Sequence, residues 1–192
     1  SGKLKSNLHQ DGYPDLLLID IPEKEAYFET LYTRSNGKSY PIDKKCFSPF
    51  KYGGIEVKAT CGSTPSASKT PKPLIGEQRV SKINSFDWKS HHRETNHLLA
   101  VLWDFIDELP TYVAAFYQDN LEIEDWSKIV QPREGGGRTT SVSIMKAQGV
   151  GKMCQNWVAV LNDNDYIELL AKKKWIGYRV NSKGKLIRSA EF

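Results

Sequence analysis

Short apolar runs with strand-like character dominate the first part of the chain. Residues 16–21 and 27–33 are two such runs, and the second leads into Ser35-Asn36-Gly37, a strong turn signal. Residues 55–60 follow Gly53-Gly54 and carry an apolar side chain at every second position. All three runs are therefore predicted to be strands.

A β-hairpin is predicted in the middle of the chain. Residues 97–105 and 111–117 are apolar runs on either side of Asp107-Glu108-Leu109-Pro110, a turn-like segment that favours two antiparallel strands. A further strand is predicted at 139–145, directly after the glycine-rich turn 135–137.

Two helices are predicted, at 77–83 and at 163–174. In the second, acidic residues come early and lysines late, which suits the helix dipole. Because strands dominate the rest, we expect one domain over residues 1–192, of the α/β (α+β) class with a mixed central sheet. The chain opens on Ser1-Gly2 rather than methionine, and a helix upstream of that start would complete a layer over the sheet.

Composition argues against disorder and against a membrane span. The 192 residues suit one domain, and 39% hydrophobic residues are enough for a core. No apolar run approaches the roughly 18–20 residues that span a bilayer, so no membrane partner is expected. Cys46, Cys61 and Cys154 are widely spaced and odd in number, which favours free thiols in a reducing cytoplasm.

Asp15, Glu56 and Lys58 form the most informative constellation in the sequence. Glu56 and Lys58 are two residues apart in a predicted strand, so their side chains project from one face. Asp15 begins an earlier strand and would add a second carboxylate if the two strands pair. Two carboxylates and the Val57 carbonyl are a sparse set of hard oxygen donors, which suits Mg²⁺ or Mn²⁺. Lys58 would then orient or deprotonate a metal-bound water.

This arrangement resembles the PD-(D/E)xK nuclease superfamily, with Pro14-Asp15 followed 41 residues later by Glu56-x-Lys58. The flanks YPDLLL and GGIEVKAT are similar to the strands that carry that motif. The longer run is similar to type II restriction endonucleases through LWDF…P…AAFY, the pair Asp125-Trp126 and the later Arg138-Thr139-Thr140. The resemblance implies a metal-dependent phosphodiesterase with a restriction-endonuclease-like sheet flanked by helices. It also implies that Asp15 and Glu56 are metal ligands and that Lys58 acts at the attacking water.

The spacing of the motif departs from the family pattern, because 41 residues is a longer gap than such nucleases usually have. Residues 22–50 are then expected to form an inserted hairpin, for which the Asn36-Gly37 turn is suited. The long gap leaves two other aspartates open as the first metal ligand, Asp20 at the far end of the same strand and Asp43.

Charge is segregated along the chain, although the net charge is only +4. Residues 59–93 hold six basic and two acidic side chains, residues 172–188 hold seven basic ones, and residues 104–127 hold seven acidic ones. The first basic block follows the predicted metal strand, which favours contacts to a duplex backbone. The acidic block indicates either solvated hairpin ends or a face that repels DNA.

The candidate DNA-binding residues come mainly from that first basic block. They are Lys69, Lys72 and Lys89 for phosphates, and Gln78, Arg79, Lys82, Asn84, Arg133, Arg138 and Lys146 for base edges. An ordinary surface role is the alternative for each of them.

Other catalytic chemistries lack a supporting pattern. His91-His92 and His97 have no partner at metal-ligand spacing, and no Gly-x-Ser-x-Gly motif occurs. The prediction is therefore a Mg²⁺-dependent endonuclease of restriction type that cuts double-stranded DNA as a homodimer. The alternatives are a non-catalytic nucleic-acid-binding module of the same fold and a junction-resolving or repair nuclease.

Overall fold

The chain has a mixed α/β fold. A computed structural model describes residues 3–64, 75–91, 95–132, 134, 141–183 and 186–188. Within those residues it contains four α-helices and a six-stranded mixed sheet, so the predicted mixed α/β class is confirmed. The chain divides into two compact units, residues 1–57 and 58–192, while the expected single domain stays a prediction.

The first unit is built around short antiparallel strands. In chain order its elements are β1 (Leu4–Ser6), β2 (Leu16–Leu18), α1 (Pro22–Glu29), β3 (Tyr32–Ser35), β4 (Lys38–Pro41) and β5 (Gly54–Thr60), whose last three residues belong to the second unit. β2 pairs with β1 on one side and with β5 on the other. The buried core consists of Leu17, Ile19, Phe28, Leu31, Tyr32, Phe47 and Phe50. Since Leu17 is fully buried, β2 is anchored two residues after Asp15.

The prediction of a strand at 27–33 is wrong for most of that segment, because residues 27–29 belong to α1 and only residues 32–33 belong to a strand, β3. The helix has Pro22 in its first turn, followed by Glu23 and Glu25, and these residue types favour a helix N-terminus. The predicted strand at 16–21 is shortened to β2 for the related reason that Pro22 already starts the helix.

The predicted Asn-Gly turn is confirmed as the end of the β3–β4 hairpin. Asn36 and Gly37 both have positive φ, at 50° and 74°, as two-residue hairpin turns require. The insertion expected between Asp15 and Glu56 therefore contains a hairpin, but it is preceded by a helix that the sequence pattern does not predict.

The second unit contains most of the helical structure. After β5 its elements are α2 (Gly76–Lys82), β6 (Lys89–Ser90), β7 (Leu98–Ile106), β8 (Leu109–Gln118), β9 (Ser143–Ile144), α3 (Ala147–Gln155), β10 (Trp157–Val160), α4 (Asn164–Lys172), β11 (Tyr178–Val180) and β12 (Leu186–Arg188). β8 pairs antiparallel with β7 and with β10, while β6 pairs with β9 and β11 with β12. α2 and α4 confirm the two predicted helices, whereas α3 is not predicted.

The predicted central hairpin is confirmed with a tighter turn. Only Asp107 and Glu108 form the turn, both with positive φ (49° and 64°), and Leu109-Pro110 already belong to β8. The strand predicted at 139–145 is reduced to β9, and its first two residues lie outside the described part of the chain.

Aromatic side chains fill much of the hydrophobic core of the second unit. Of the five tryptophans, Trp88 and Trp126 are fully buried, and Trp103, Trp157 and Trp175 are partly buried. Asp163 caps α4, because its Oδ1 accepts the amide N–H of Asp165 at 2.9 Å. Among the described residues, no helix is both long and apolar enough to cross a membrane.

Candidate active site

Asp15 and Glu56 lie opposite each other where β2 meets β5. The register pairs Leu16 with Ile55, so the next pair outward is Asp15 with Glu56. The Asp15 amide N–H donates to Glu56 Oε2 at 3.2 Å, and the Val57 amide N–H donates to Asp15 Oδ2 at 2.8 Å. The Glu56 carboxylate therefore accepts the amide of Asp15 itself, and the Asp15 carboxylate accepts the amide of the residue after Glu56.

Gly54 allows β2 to approach β5 closely beside this pair. A Cβ at Gly54 would collide with the carbonyl oxygen of Leu16 and would lie 2.9 Å from the Pro14 ring. Only glycine avoids that contact, because it has no Cβ. The residue thus contributes to the site through the spacing of the two strands rather than through chemistry of its own.

Burial of the two carboxylates costs electrostatic free energy. Glu56 is only 5% exposed, and Asp15 is partly buried. A buried carboxylate is costly unless it is hydrogen-bonded or neutralised, and two carboxylates directly opposite on paired strands repel each other. A bound cation would offset both costs, so the arrangement suits cation binding.

Lys58 extends the constellation along β5. It lies two residues after Glu56, so the alternation of a strand directs both side chains to the same face. Lys58 is partly buried and is the first residue of the second unit, where it lines an open cleft of about 400 Å³. The remaining lining comes from residues 59–63 together with Asp87, Lys89 and Trp103.

Asp20 and Asp43, the two alternative candidates for the first metal ligand, make other contacts in the structure. Asp20 Oδ1 accepts Lys24 Nζ at 2.6 Å, and this hydrogen bond is the main cause that holds the pKa of Asp20 below its ordinary value. Asp43 caps the short 3₁₀ helix Lys44–Cys46 by accepting the Lys45 amide N–H at 2.9 Å. Of the three candidate aspartates, Asp15 is the one whose carboxylate is hydrogen-bonded to β5.

The donor chemistry of the pair fits a hard divalent cation. Asp15 and Glu56 supply carboxylate oxygens, which Mg²⁺ prefers, and the Val57 carbonyl is adjacent in sequence. A carboxylate has about four acceptor positions, so it can accept a backbone N–H and coordinate a cation at the same time. In the described residues no group of three or more His, Cys, Asp or Glu side chains is arranged to hold a metal, so protein ligands would be few.

The predicted DNA-binding residues fall into three groups. The exposed group consists of Gln78, Lys82, Asn84 and Lys89. The second group, Arg79 and Lys146, makes hydrogen bonds within the protein. Outside the described residues lie Lys69, Lys72, Arg133 and Arg138. The Arg79 guanidinium donates to the carbonyl oxygens of Cys61 and Gly62, at 2.7 Å each, and so holds that loop against α2. Lys146 Nζ donates to the Glu124 carbonyl oxygen at 2.9 Å.

Asp125 is a buried carboxylate whose surroundings the sequence pattern does not reveal. It is fully buried, and its Oδ2 accepts Lys152 Nζ at 2.8 Å and the Glu122 amide N–H at 2.9 Å. Gln148 donates to Oδ1 at 3.2 Å. Burial alone would raise the pKa of Asp125, but Lys152 and these other donors hold it below its ordinary value. This network joins the 3₁₀ helix Ile123–Asp125 to α3.

Asp104 is a second buried carboxylate, but its pKa is shifted in the opposite direction from that of Asp125. It is 2% exposed, its Oδ1 accepts the Phe105 amide N–H, and in the described residues its Oδ2 has no hydrogen-bond partner. Burial raises the pKa of Asp104, and it also raises the pKa of the similarly buried Tyr166 hydroxyl. The expectation that the acidic block 104–127 forms solvated hairpin ends or a face that repels DNA is therefore wrong for Asp104 and Asp125, because both are buried.

Among the described residues, no cysteine or histidine side chain has an assigned part in this site, and His92 lies outside those residues. Cys46, Cys61 and Cys154 are free thiols, and burial raises the pKa of Cys154 to about 12, so it is a poor nucleophile. His91 Nδ1 lies 2.8 Å from the carbonyl oxygen of Ser141, which is a structural contact.

Comparison of the chain with protein-family models, with curated proteins and with solved structures gave no match. The function is therefore inferred from the residues themselves, above all from the pair of hydrogen bonds that connects Asp15 with Glu56 and Val57.

Proposed function

We propose that the chain is a Mg²⁺- or Mn²⁺-dependent endonuclease of restriction type that hydrolyses phosphodiester bonds in double-stranded DNA. The supporting observation is that Asp15 and Glu56 lie opposite each other at the junction of β2 and β5. The Glu56 carboxylate accepts the Asp15 amide, the Asp15 carboxylate accepts the Val57 amide, and Lys58 lies two residues further along β5. Paired carboxylates followed by a lysine are suited to hydrolysis of a phosphodiester by metal-activated water.

Each residue has a separate role in this proposal. Asp15, Glu56 and the Val57 carbonyl would hold the cation, which polarises the phosphate and lowers the pKa of a bound water when present. Lys58, at the edge of the open cleft, would orient the attacking water or accept its proton. Gly54 lets β2 approach β5 closely beside the two acidic residues.

Exposed polar and basic side chains in the segment that follows β5 favour a nucleic acid as the substrate. Gln78, Lys82, Asn84 and Lys89 are exposed in the segment that follows β5 and are available for phosphate or base contacts. Cleavage of both strands at a two-fold site needs two active sites, which is the reason for proposing a homodimer. The free thiols are compatible with the reducing cytoplasm that the proposal assumes.

A non-catalytic nucleic-acid-binding module is the second candidate. It is favoured by the small number of metal ligands, since among the described residues no third His, Cys, Asp or Glu joins a metal-binding group. The two proposals differ in one property, which is turnover.

Digestion of supercoiled plasmid separates the two candidates. The protein is incubated with plasmids of varied sequence and base modification in Mg²⁺, in Mn²⁺ and in EDTA, and the ends are mapped. The endonuclease proposal predicts nicked or linear product with either cation and none in EDTA. Binding to DNA without cleavage under every condition supports the binding module, and cleavage that persists in EDTA contradicts the metal-dependent proposal.

A further inference from the structure

The cleft beside Lys58 is built by strand alternation. Asp87 and Lys89 line it, while Trp88 between them is fully buried in the core. On β7, Trp103 lines the cleft and its neighbour Leu102 is fully buried. Successive side chains of an extended segment point to opposite sides. Because Trp88 and Leu102 point into the core, their neighbours Asp87, Lys89 and Trp103 point into the cleft.

The volume and the charge of the cleft favour a small anionic ligand. Its volume of about 400 Å³ lies within the roughly 300–1,000 Å³ of typical ligand pockets. Lys58 and Lys89 contribute two positive charges against one negative charge from Asp87. Asp87 is held in place, because its carboxylate accepts hydrogen bonds from the hydroxyls of Ser63 and Ser85.

Trp103 supplies an aromatic surface in the same cleft. Its ring packs edge-on against Phe105, with ring centroids 5.3 Å apart, and this contact restrains its orientation. A restrained indole ring beside two ammonium groups matches the two parts of a nucleotide, because a base stacks on aromatic rings and a phosphate is attracted to lysines.

We propose that this cleft binds one nucleotide unit, with its phosphate at Lys58 and Lys89 and its base against Trp103. The inference rests on the proposed function, because that function assigns Lys58 to the chemistry at a phosphate. The shared chemistry is that of a nucleotide, whether it is free or is one unstacked nucleotide of a DNA strand. Asp87 opposes the phosphate, so its charge directs the phosphate toward the lysines.

The test is a binding titration in EDTA, where cleavage does not occur. Deoxycytidine monophosphate, a short single-stranded oligonucleotide and inorganic phosphate are titrated into the intact chain and its variants by calorimetry. We expect Trp103→Leu to weaken nucleotide binding about tenfold or more and Lys89→Ala to weaken it severalfold. Asp87→Asn should tighten it, and Lys128→Ala, which removes an exposed lysine outside the cleft, should leave it unchanged.

Several outcomes overturn the proposal. Equal affinity of phosphate and nucleotide would show an anion site without a base-binding surface, and unchanged affinity in both Trp103→Leu and Lys89→Ala would place the nucleotide elsewhere. If Trp103→Leu fails to fold by circular dichroism, Trp103→Phe and Lys89→Ala still decide the question. Tighter binding of the oligonucleotide than of the free nucleotide identifies the DNA strand as the source, and the reverse identifies a free nucleotide.

Plasmid digestion on the same preparations keeps this inference distinct from the proposed function. A protein that binds the nucleotide in the cleft but never cuts DNA contradicts the endonuclease and supports the cleft. A protein that cuts DNA but binds no nucleotide in the cleft overturns this inference alone.

Discussion

The amide N–H of Asp15 donates to the carboxylate of Glu56 at 3.2 Å across the junction of β2 and β5. In return, the Asp15 carboxylate accepts the amide N–H of Val57 at 2.8 Å. Both bonds need an acceptor oxygen, which an amide side chain also provides. Asp15→Asn and Glu56→Gln can therefore keep these contacts while removing a negative charge, so they test the chemistry with little effect on the fold.

Lys58→Ala should abolish cleavage while leaving DNA binding within about tenfold of the wild type. A group that positions or deprotonates the attacking water typically contributes about 10²–10⁴-fold in rate, whereas one lysine adds little to binding. Single-turnover cleavage and a filter-binding assay measure the two quantities. Lys38→Ala, which changes an exposed lysine of the β3–β4 hairpin, is the matched control. Cleavage that survives in Lys58→Ala would remove the role assigned to this residue.

Asp125→Asn should lower the free energy of unfolding by about 1–3 kcal/mol at pH 7, since it removes a charge that is hydrogen-bonded to Lys152. The pKa of Asp125 is depressed in the folded chain, so its stabilisation is present above the ordinary aspartate pKa of about 3.9. That stabilisation is lost as the pH falls through the lower, folded-state value. Urea denaturation at pH 7 and at pH 3 should show the difference between wild type and variant shrinking at the lower pH.

Glu124→Gln is the control for the Asp125 experiment, because Glu124 is the exposed neighbour in the same acidic segment. It should change the free energy of unfolding by less than about 0.5 kcal/mol at either pH. A loss of equal size in the two variants would contradict the assignment to the buried pair.

Asp104 should show the opposite dependence on pH. Its pKa is raised in the folded chain, so its contribution is most favourable below the ordinary aspartate value and is lost as the pH rises through the folded-state value. Asp104→Asn should therefore gain stability relative to wild type between pH 4 and pH 7, as measured by thermal denaturation. Asp119→Asn, which changes an exposed aspartate of the same acidic block 104–127, should show no such trend.

Two glycines of α3 should respond in opposite directions to the same substitution. A Cβ at Gly149 would lie 2.8 Å from Met145 Cγ and 3.0 Å from Asp125 Cβ, whereas Gly151 has nothing within 4 Å. Gly149→Ala should cost about 1–3 kcal/mol through overpacking. Gly151→Ala should gain about 0.5–1 kcal/mol, because alanine favours a helix. Chemical denaturation of both variants measures the contrast, and a stabilising Gly149→Ala would show that α3 packs less tightly than described.

The elements with strong local signals are predictable from the sequence. β5 begins at the second glycine of a pair, and its sequence alternates between apolar and polar residues. The β7–β8 hairpin has two long apolar arms, and α4 has its charges arranged along the helix dipole. The expectation that Asp15 lies beside Glu56 depends on pairing between β2 and β5, which the structure contains.

The missed helices have weak local signals. α1 buries only Phe28, so apolar spacing does not reveal it, and the alternation at 27–33 favours a strand instead. α3 contains Gly149 and Gly151, which lower helix propensity and obscure the helical spacing of its apolar residues. Gly149 packs closely against Met145 and Asp125. Tertiary contacts thus decide what propensity leaves open.

The buried carboxylates were beyond sequence reasoning for a different reason. Charged residues are rarely buried unless paired, so Asp104 and Asp125 are expected at the surface. The partners of Asp125 lie up to 27 residues away, at Lys152, and only the folded chain brings them together. The close approach at Gly54 is likewise visible only once β2 is placed beside it.

The most direct test of the central claim is the single-turnover rate of plasmid cleavage in Mg²⁺ for wild type, Asp15→Asn and Asp20→Asn. Each variant removes one negative charge from the wild type. Asp20 is an exposed residue that pairs with the partly buried Lys24, so the loss of this ion pair should matter little for cleavage. The account predicts that the wild type and Asp20→Asn cut at similar rates, while Asp15→Asn is slower by at least about a hundredfold. Undiminished cleavage by Asp15→Asn, or loss of cleavage in Asp20→Asn alone, would contradict it.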